Sequence, residues 1–313
     1  VFLTKKLHLQ KKIILIAGPT ASGKSKLAIS LAKKINGEIV NADSMQIYKE
    51  FSILSSRPSN LETQKVRHHL YGILSVKKHF STGEWLILAK DKINQCIKRK
   101  KIPILVGGTG LYFNAITKGI SKIPTIENKL RMNIRSLHNK IGQKKFYQKL
   151  ISIDPMSKSK VSSTDTHRTM RAYEVKIFTK KSLYDWASNT KSDFLDFDIR
   201  KIFIDIPREV LLKNISQRTS LMFKKKCIRE VKNFLKLKIN KSLSANKIIG
   251  VREIEEYLGG SRSAGEIIDL INIRTRQYAK RQNTWSRGHM NTWKKLYSKD
   301  FSVLTRKALK EIS

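Results

Sequence analysis

The sequence predicts an α/β protein: a three-layer core around a parallel sheet, interrupted by an inserted all-helical domain. Three observations carry that prediction. Short apolar runs alternate with segments of helical spacing. The first run leads directly into a glycine-bounded turn, 18-GPTASGKS-25. Between about residues 121 and 199 the buried-strand runs stop, and polar, basic helical patterns replace them.

Each element has its own signal. The run 13-IILIA-17 is apolar on both faces, as a strand inside a parallel sheet must be. The segment 24-KSKLAISLAKKI-35 places apolar residues at helical spacing and stops at Asn36-Gly37, a pair suited to a helix C-terminus. Next come 38-EIVNAD-43, strand-like, and 102-IPILVGG-108, a buried-strand run ending in a glycine turn. A later strand is expected at 201-KIFIDI-206. The interruption contains 127-ENKLRMNIRSLHNK-140, 143-QKKFYQKLI-151 and 165-DTHRTMRAYEVKIF-178, all helical in pattern. From 207 onward the chain is again mostly helical, through 266-EIIDLINIRTRQYAKRQNTWSRG-288. The expected division is a core of residues 1–120 and 200–313 with a helical insertion at 121–199.

The 313 residues suffice for a full core, and their formal net charge is +40. Such an excess attracts polyanions, with nucleic acid the default partner. Part of it also follows from a composition rich in Lys, Ile and Asn. Acidic membranes would attract the same charge, but no segment approaches the ~20 apolar residues of a span. Cys96 and Cys227 are far apart and lack CxxC spacing or neighbouring His residues, which argues against a disulfide framework or zinc site. A cytoplasmic protein is expected. The start, VFLTKKLHLQKK, lacks the long apolar region of a secretory signal. Its first residue, Val1, fits either an unusual start codon or a trimmed start.

The turn at 18–25 fits G-x-x-x-x-G-K-[ST], so the core is expected to be of P-loop type, with Gly18, Pro19, Thr20, Ala21, Ser22, Gly23, Lys24 and Ser25 around a diphosphate. Gly18 and Gly23 let backbone N–H groups turn toward phosphate oxygens at the positive end of the following helix. Lys24 adds a full charge, and the Ser25 hydroxyl is placed to ligate Mg²⁺. An ATPase or kinase also needs a carboxylate closing an apolar strand. Its textual candidate, Asp205 in 202-IFID-205, lies beyond the helical interruption, runs into Pro207 and reads better as an ordinary strand-ending Asp. The second strand instead ends in 41-NADSMQIY-48, and the third in 107-GGTGLY-112. Two acceptor-lined turns flanking one diphosphate cradle suggest group transfer with diphosphate departing. A nucleotide or small-molecule kinase remains the alternative, as does an RNA-binding module with an unused loop.

Together these residues resemble the tRNA dimethylallyltransferases, or tRNA isopentenyltransferases, of bacterial or organelle type. The motifs are GPTASGKS (18–25), NADSMQIY (41–48), LVGGTGLYF (105–113), the set Asp165, Arg168, Arg171, Ala172 and Glu174-Val175, then IIGVRE (248–253) and TRQYAKRQNTWSRG (275–288). The resemblance implies transfer of a dimethylallyl group from dimethylallyl diphosphate to the exocyclic amine of the adenine 3′ of the anticodon. It also implies Mg²⁺ as cofactor, and as partners the tRNA anticodon stem-loop, the prenyl diphosphate and no membrane, with the protein a monomer. On the residues alone Asp43 is either a general base or a helix-capping Asp; the resemblance implies the base. Thr20 is then expected to contact the bridging oxygen and Asp43, where otherwise it would only shape the turn.

Arg218, in 214-NISQRTSLM-222, aligns with a family arginine that grips the diphosphate. Asp43, Ser44, Met45 and Gln46 match the segment that reads the extruded base, and a Gln amide can pair with adenine's donor and acceptor edge. Thr109, Arg131, His167, Arg168, Thr169, Met170, Arg171, Arg252 and Arg281 match positions that meet the tRNA. Arg274, Tyr278, Arg281 and Trp285 recur at near-helical spacing, a stripe for phosphate contact and stacking or else a core face with snorkelling arginines. The chain departs from the family at Leu54 (a usual Gly), Arg57 (Lys), Lys226-Cys227 (Gly-Leu) and Val251 (Tyr), which bears on tRNA contacts more than on the reaction class.

Overall fold

The computed structural model describes residues 11–313, and the first ten residues of the basic start read above lie outside them. Six strands form one sheet: β1 (Lys12–Ala17), β2 (Gly37–Asn41), β3 (His68–His69), β4 (Ile102–Gly107), β5 (Asp198–Ile204) and β6 (Lys294–Leu296). Their order is β3-β2-β4-β1-β5-β6, and every pairing is parallel. The apolar run 13–17 therefore lies in the middle, with Ile14 opposite Ile104 on one side and Arg200 on the other. Period-two alternation sends Ile14 and Ile16 to one face and Ile13 and Leu15 to the other, all fully buried.

Four helices belong to the first half: α1 (Lys24–Lys34), α2 (Asn60–Lys65), α3 (Thr82–Lys98) and α4 (Gly110–Lys118). Leu27, Ala28 and Leu31 of α1 cover the Ile14–Ile16 face together with β2, β4 and β5 residues. Three more helices follow, α5 (Asn128–Ile153), α6 (Thr166–Thr179) and α7 (Leu183–Ser188), then α8 (Arg208–Lys224), α9 (Cys227–Leu235), α10 (Val251–Leu258), α11 (Ala264–His289) and α12 (Phe301–Ile312). Leu304, Ala308 and Ile312 of α12 join the α1 side of the sheet. A separate apolar cluster unites Ile47, Tyr48, Phe51 and Leu54 with Val231 and Phe234 of α9, Ile254 of α10, and Ile267 and Ile271 of α11.

The chain divides into two compact units: residues up to Asn114 together with Asp196–Ser313, and Ala115–Leu195. The division falls earlier at both ends than the 121–199 read from the sequence. The reason is local pairing. Ser192 Oγ donates to Ile116 O, Phe194 N–H to Ser192 Oγ, and Ser121 shares a hydrogen bond with Thr190, so both ends of the insertion are tied to each other. Within this unit α5 bends sharply at Gly142 (φ 76°, ψ 164°), as the two separate helical patterns of the sequence implied. Phe146, Leu150, Ala172 and Val175 are fully buried and form its interior.

The sequence pattern predicts neither β3 nor β6; two and three residues are too short to show a period. β5 starts at Asp198 rather than 201, because its first four residues are only half-buried and tolerate polar side chains.

Candidate active site

The phosphate loop connects β1 to α1. Gly23 takes a left-handed conformation (φ 85°), and so does Ala21 (φ 62°), so the loop curls back on itself before the helix begins. Ala21 holds this uncommon conformation under restraint: Asn214 Nδ2 of α8 donates to Ala21 O at 3.0 Å. Ser22 Oγ is buried with no hydrogen-bond partner, an unsatisfied group in the wall of the loop. Lys24 Nζ donates to Pro19 O at 3.1 Å. Burial lowers the Lys24 amine to about 8, Asp43 opposing that shift and Arg218 adding to it.

Asp43 stands just past the end of β2, and one side chain clamps its backbone. Asn41, fully buried, accepts the Asp43 N–H at 2.8 Å and donates to Asp43 O and Leu70 O, both at 3.0 Å. Leu70 is itself left-handed (φ 63°), a strained state for a bulky residue that the surrounding hydrogen bonds maintain. Asp43 Oδ1 accepts the Met45 N–H at 2.9 Å, which leaves Oδ2 for a proton. From the turn after β4, Thr109 Oγ1 accepts the Ser44 N–H at 2.9 Å and donates to Ser44 Oγ at 3.2 Å. Gln46 uses both amide hydrogens on Ser55 O (2.9 Å) and Ser56 O (3.0 Å). Only its carbonyl oxygen is left to read a base, so the two-sided amide pairing expected from the sequence reduces to an acceptor.

Helices α8 and α11 close the loop from behind. Arg218 Nη1 donates to Thr20 Oγ1 at 2.6 Å. Burial pushes the guanidinium pKa down, and the charge of Asp43 pulls it back up. Tyr278 of α11 sits in the same field: burial raises its phenol pKa, as does Asp43, while Arg281 and Arg218 lower it. The loop, Asp43, Arg218 and Tyr278 therefore share one electrostatic environment, with cations and the carboxylate within reach of one another.

Comparison with known proteins fits this geometry. The IPP transferase family profile matches residues 46–289, more than half of the chain. A tRNA dimethylallyltransferase of Pelagibacter ubique is 53% identical over 287 residues, covering 92% of this chain and 92% of that protein. The chain belongs to the tRNA dimethylallyltransferase family. A family member from Rickettsia massiliae is 40% identical over 307 residues, covering 97% of this chain and 85% of its own. Among solved structures, the tRNA isopentenylpyrophosphate transferase of Bacillus halodurans matches with TM-score 0.69 and 30% identity, over 96% of this chain and 95% of that one. A eukaryotic dimethylallyltransferase acting on tRNA matches with TM-score 0.77 and 27% identity, over 88% of this chain and 69% of that one.

The remaining motif residues of this dimethylallyltransferase-family chain differ in what they can offer a ligand. In the helical unit His167 and Arg168 are exposed, and Met170 and Arg171 are half-buried. Arg131 Nε is buried without a partner, and the Arg131 charge adds to burial in lowering the Arg171 pKa. Thr169 differs. It is fully buried, its hydroxyl donating to Asp165 O (2.7 Å) and accepting from Gln143 (3.2 Å), so the side chain holds the start of α6 rather than facing RNA. On α11, Arg274 pairs with the buried Glu253 at 2.5 Å, which takes it out of the phosphate stripe. Trp285 stacks on His289 (4.3 Å, 5°), and Arg281 is exposed with its guanidinium 5.8 Å from the Tyr278 ring centre. Arg252 is exposed and pairs with Glu256 at 3.0 Å, a surface pair weak enough to exchange for a phosphate.

For Mg²⁺ the loop is the suitable place. Ser25 is the second residue of α1, next to Lys24 and three residues along the chain from Ser22, whose hydroxyl has no partner, and a magnesium site of this kind needs one hydroxyl, water and substrate oxygens. A second cluster lies elsewhere: Glu38, His69 and Cys96 bring their ligand atoms within 4.8 Å of one another, so Cys96 does have the His neighbour that sequence spacing hid. Arg99 already binds both oxygens of Glu38, at 2.7 and 3.3 Å. Burial opposes ionisation there, but hydrogen bonds from Arg99, His69 and Cys96 hold Glu38 down at about 2. A carboxylate so neutralised, beside a sulfur and an imidazole, does not offer the oxygen shell Mg²⁺ takes. Among the described residues no helix is long and apolar enough to cross a membrane.

Proposed function

We propose that this protein transfers a dimethylallyl group from dimethylallyl diphosphate to the exocyclic amine of the adenine 3′ of a tRNA anticodon, releasing diphosphate. The observation that carries the assignment is the pair of cations on the phosphate loop, Lys24 bonded to Pro19 O and Arg218 bonded to Thr20 Oγ1, with Asp43 just past β2 acting electrostatically on both. Such a pocket can receive departing negative charge at one side and a proton at the other.

The steps follow from the side chains. The amine nitrogen of the base forms a bond to the prenyl C1 while the C1–O bond breaks, its electron pair leaving with diphosphate. The adenine amine is a poor nucleophile because its lone pair is delocalised, so Asp43 Oδ2 takes its proton as the C–N bond forms. Lys24 and Arg218, both only partly exposed, neutralise the departing oxygens where water screens them less. Thr20, whose Oγ1 accepts from Arg218, retains its hydroxyl hydrogen for the bridging oxygen. Mg²⁺, held by Ser25 and the diphosphate itself, would supply further charge neutralisation. Ser44, Met45 and the Gln46 carbonyl face the incoming base, on a segment pinned by Thr109. The helical unit, through Arg131, His167, Arg168 and Arg171, together with Arg252 and Arg281 of the core, would contribute the salt-sensitive part of tRNA affinity. We take the monomer as the functional unit and the cytoplasm, where tRNA is found, as its location.

The test supplies labelled dimethylallyl diphosphate and unmodified tRNA to folded protein with Mg²⁺. Label enters the tRNA if the assignment holds; its absence ends it, and labelling of a free small molecule from ATP would favour a kinase instead. Asp43→Asn should keep tRNA binding and lose turnover, and an undiminished rate would remove Asp43 from the base role.

A further inference from the structure

Helix α11 sends one amide into the middle of the site. Gln282 Oε1 accepts the Thr20 N–H at 2.8 Å, and its Nε2 donates to Gly108 O at 3.1 Å. Tyr278 lies one helical turn earlier on α11, and the amide is among the groups that lower its phenol pKa against burial. The orientation of the amide is fixed by its partners, since an N–H needs the oxygen and a carbonyl needs the nitrogen. The two backbone groups it joins belong to different halves of the reaction. Thr20 lies in the phosphate loop, whereas Gly108 precedes Thr109, which holds Ser44 beside Asp43. A side chain at 108 is incompatible with this bridge, because a Cβ there would overlap Gln282 Nε2.

One consequence concerns the loop itself. The Thr20 N–H is taken by Gln282, so it does not join the amides that face phosphate. Thr20 is instead held at two points, by Gln282 on its backbone and by Arg218 on its hydroxyl. That leaves the hydroxyl hydrogen aimed by its two neighbours rather than by the loop alone.

We propose that Gln282 is a positioning residue that sets the spacing between the seat of the departing oxygen and the seat of the base. The proposal rests on the prenyl-transfer reading above. Bond formation at C1 and bond cleavage at the same carbon must be in line, and a misplacement of about 1 Å can cost on the order of a hundredfold in rate. Gln suits the task by its inventory of groups: an acceptor for the Thr20 N–H and a donor for the Gly108 carbonyl. Leu has neither. Ionised Glu keeps the acceptor but sets a carboxylate against the Gly108 carbonyl; protonated Glu regains a donor and is close to Gln in shape.

The experiment measures prenyl transfer by the full chain with labelled dimethylallyl diphosphate and saturating unmodified tRNA. Gln282→Leu should lower kcat by about 10–100-fold, with tRNA Kd and the KM for the prenyl diphosphate within about threefold of the unsubstituted protein. Gln282→Glu should show a rate, relative to the unsubstituted protein at each pH, that rises about tenfold as pH falls from about 8 to 5.5 and the new carboxyl protonates. A residue that merely held α11 in place would move neither kcat alone nor the pH ratio. Wild-type kcat in Gln282→Leu overturns the proposal, as does loss of kcat matched by equal loss of tRNA binding. Should Gln282→Leu fail to fold, a flat ratio for Gln282→Glu overturns it. If the unsubstituted protein transfers no label, the prenyl-transfer reading falls and this proposal with it; if it does and both variants match it, only the role of Gln282 falls.

Discussion

Lys24 should take up a proton when the prenyl diphosphate binds. Its amine is lowered from the ordinary 10.5 to about 8 by burial, against the pull of Asp43. In the free protein at pH 8 it is therefore about half deprotonated, at pH 9 about nine-tenths, and at pH 7 about one-tenth. A diphosphate seated in the loop brings negative charge against the amine and raises its pKa well above 9, so binding restores the missing proton. The expected uptake is about 0.5 proton at pH 8 and about 0.9 at pH 9, while the ligand's own last ionisation, near pH 6, is already complete. Titration calorimetry in two buffers with different ionisation heats reads this number directly. Lys24→Arg is the control, since a guanidinium binds the anion but stays charged throughout. Equal uptake in both proteins, or none in the unsubstituted one, would refute the lowered pKa of Lys24. The stability sign agrees: a folded pKa below the unfolded one makes the charged amine a cost below about pH 8. The free protein therefore gains stability from this group as pH rises from about 8 toward 10.5.

Other expectations can be checked with simpler assays. Asn41→Ala leaves the Asp43 N–H and the Leu70 carbonyl without their buried partner, so it should cost about 1–3 kcal/mol and lower kcat while tRNA affinity stays within about twofold; binding lost in step with turnover would contradict the clamp. Lys226 is exposed and left-handed (φ 65°), so Lys226→Gly should stabilise the protein by about 0.5–1 kcal/mol in chemical denaturation, and a lower midpoint would argue against strain there. Gly142, at φ 76° and ψ 164°, occupies a region closed to L side chains. Gly142→Ala should destabilise the helical unit by about 1–3 kcal/mol, seen as faster amide exchange confined to residues 115–195, and unchanged exchange would mean that the bend tolerates a side chain.

Much of this site was legible because its parts are local. The loop is eight consecutive residues whose glycines and lysine have fixed roles, and Asp43 follows an apolar strand at the edge where α/β ligands bind. What the sequence hid is long-range partnership. Thr169 sits one residue from exposed Arg168 and looked equally available, yet Gln143 and Asp165 take its hydroxyl. Arg274 had the spacing of a phosphate-facing stripe until Glu253 of a neighbouring helix claimed it. Gln282 lies inside the motif 275-TRQYAKRQNTWSRG-288, but nothing there points to its role, since its partners Thr20 and Gly108 are 262 and 174 residues away. The spacing of residues tells which face a side chain shares; it cannot tell what that face packs against.

The departures from the family pattern make the same point from the other direction. Leu54 stands where a glycine is usual and is buried, its Cδ2 filling the space that a Cβ at Gly250 would enter, 2.7 Å away. Arg57 replaces a lysine and donates through Nη1 to Tyr48 O at 3.0 Å, its guanidinium lying where Gly72 has no side chain. A lysine's single ammonium could meet the Tyr48 carbonyl but would not supply the flat body that covers Gly72. Both replacements bear on the segment that carries Asp43, Ser44, Met45 and Gln46, since Tyr48 continues it and the Ser55 and Ser56 carbonyls hold Gln46. They act on its outer side, through packing and backbone contacts. Neither replacement contacts Lys24, Thr20, Arg218 or Asp43, the residues proposed above to carry the chemistry. The substitutions should therefore alter how firmly the base-reading segment is held, and hence which tRNA sequences are accepted, without changing the bond that is made. Arg57→Lys tests this: relative kcat/KM among anticodon stem-loops of different sequence should shift, while the rate of the chemical step on the best substrate stays within about threefold. An equal loss on every substrate would place Arg57 in the general stability of the fold instead.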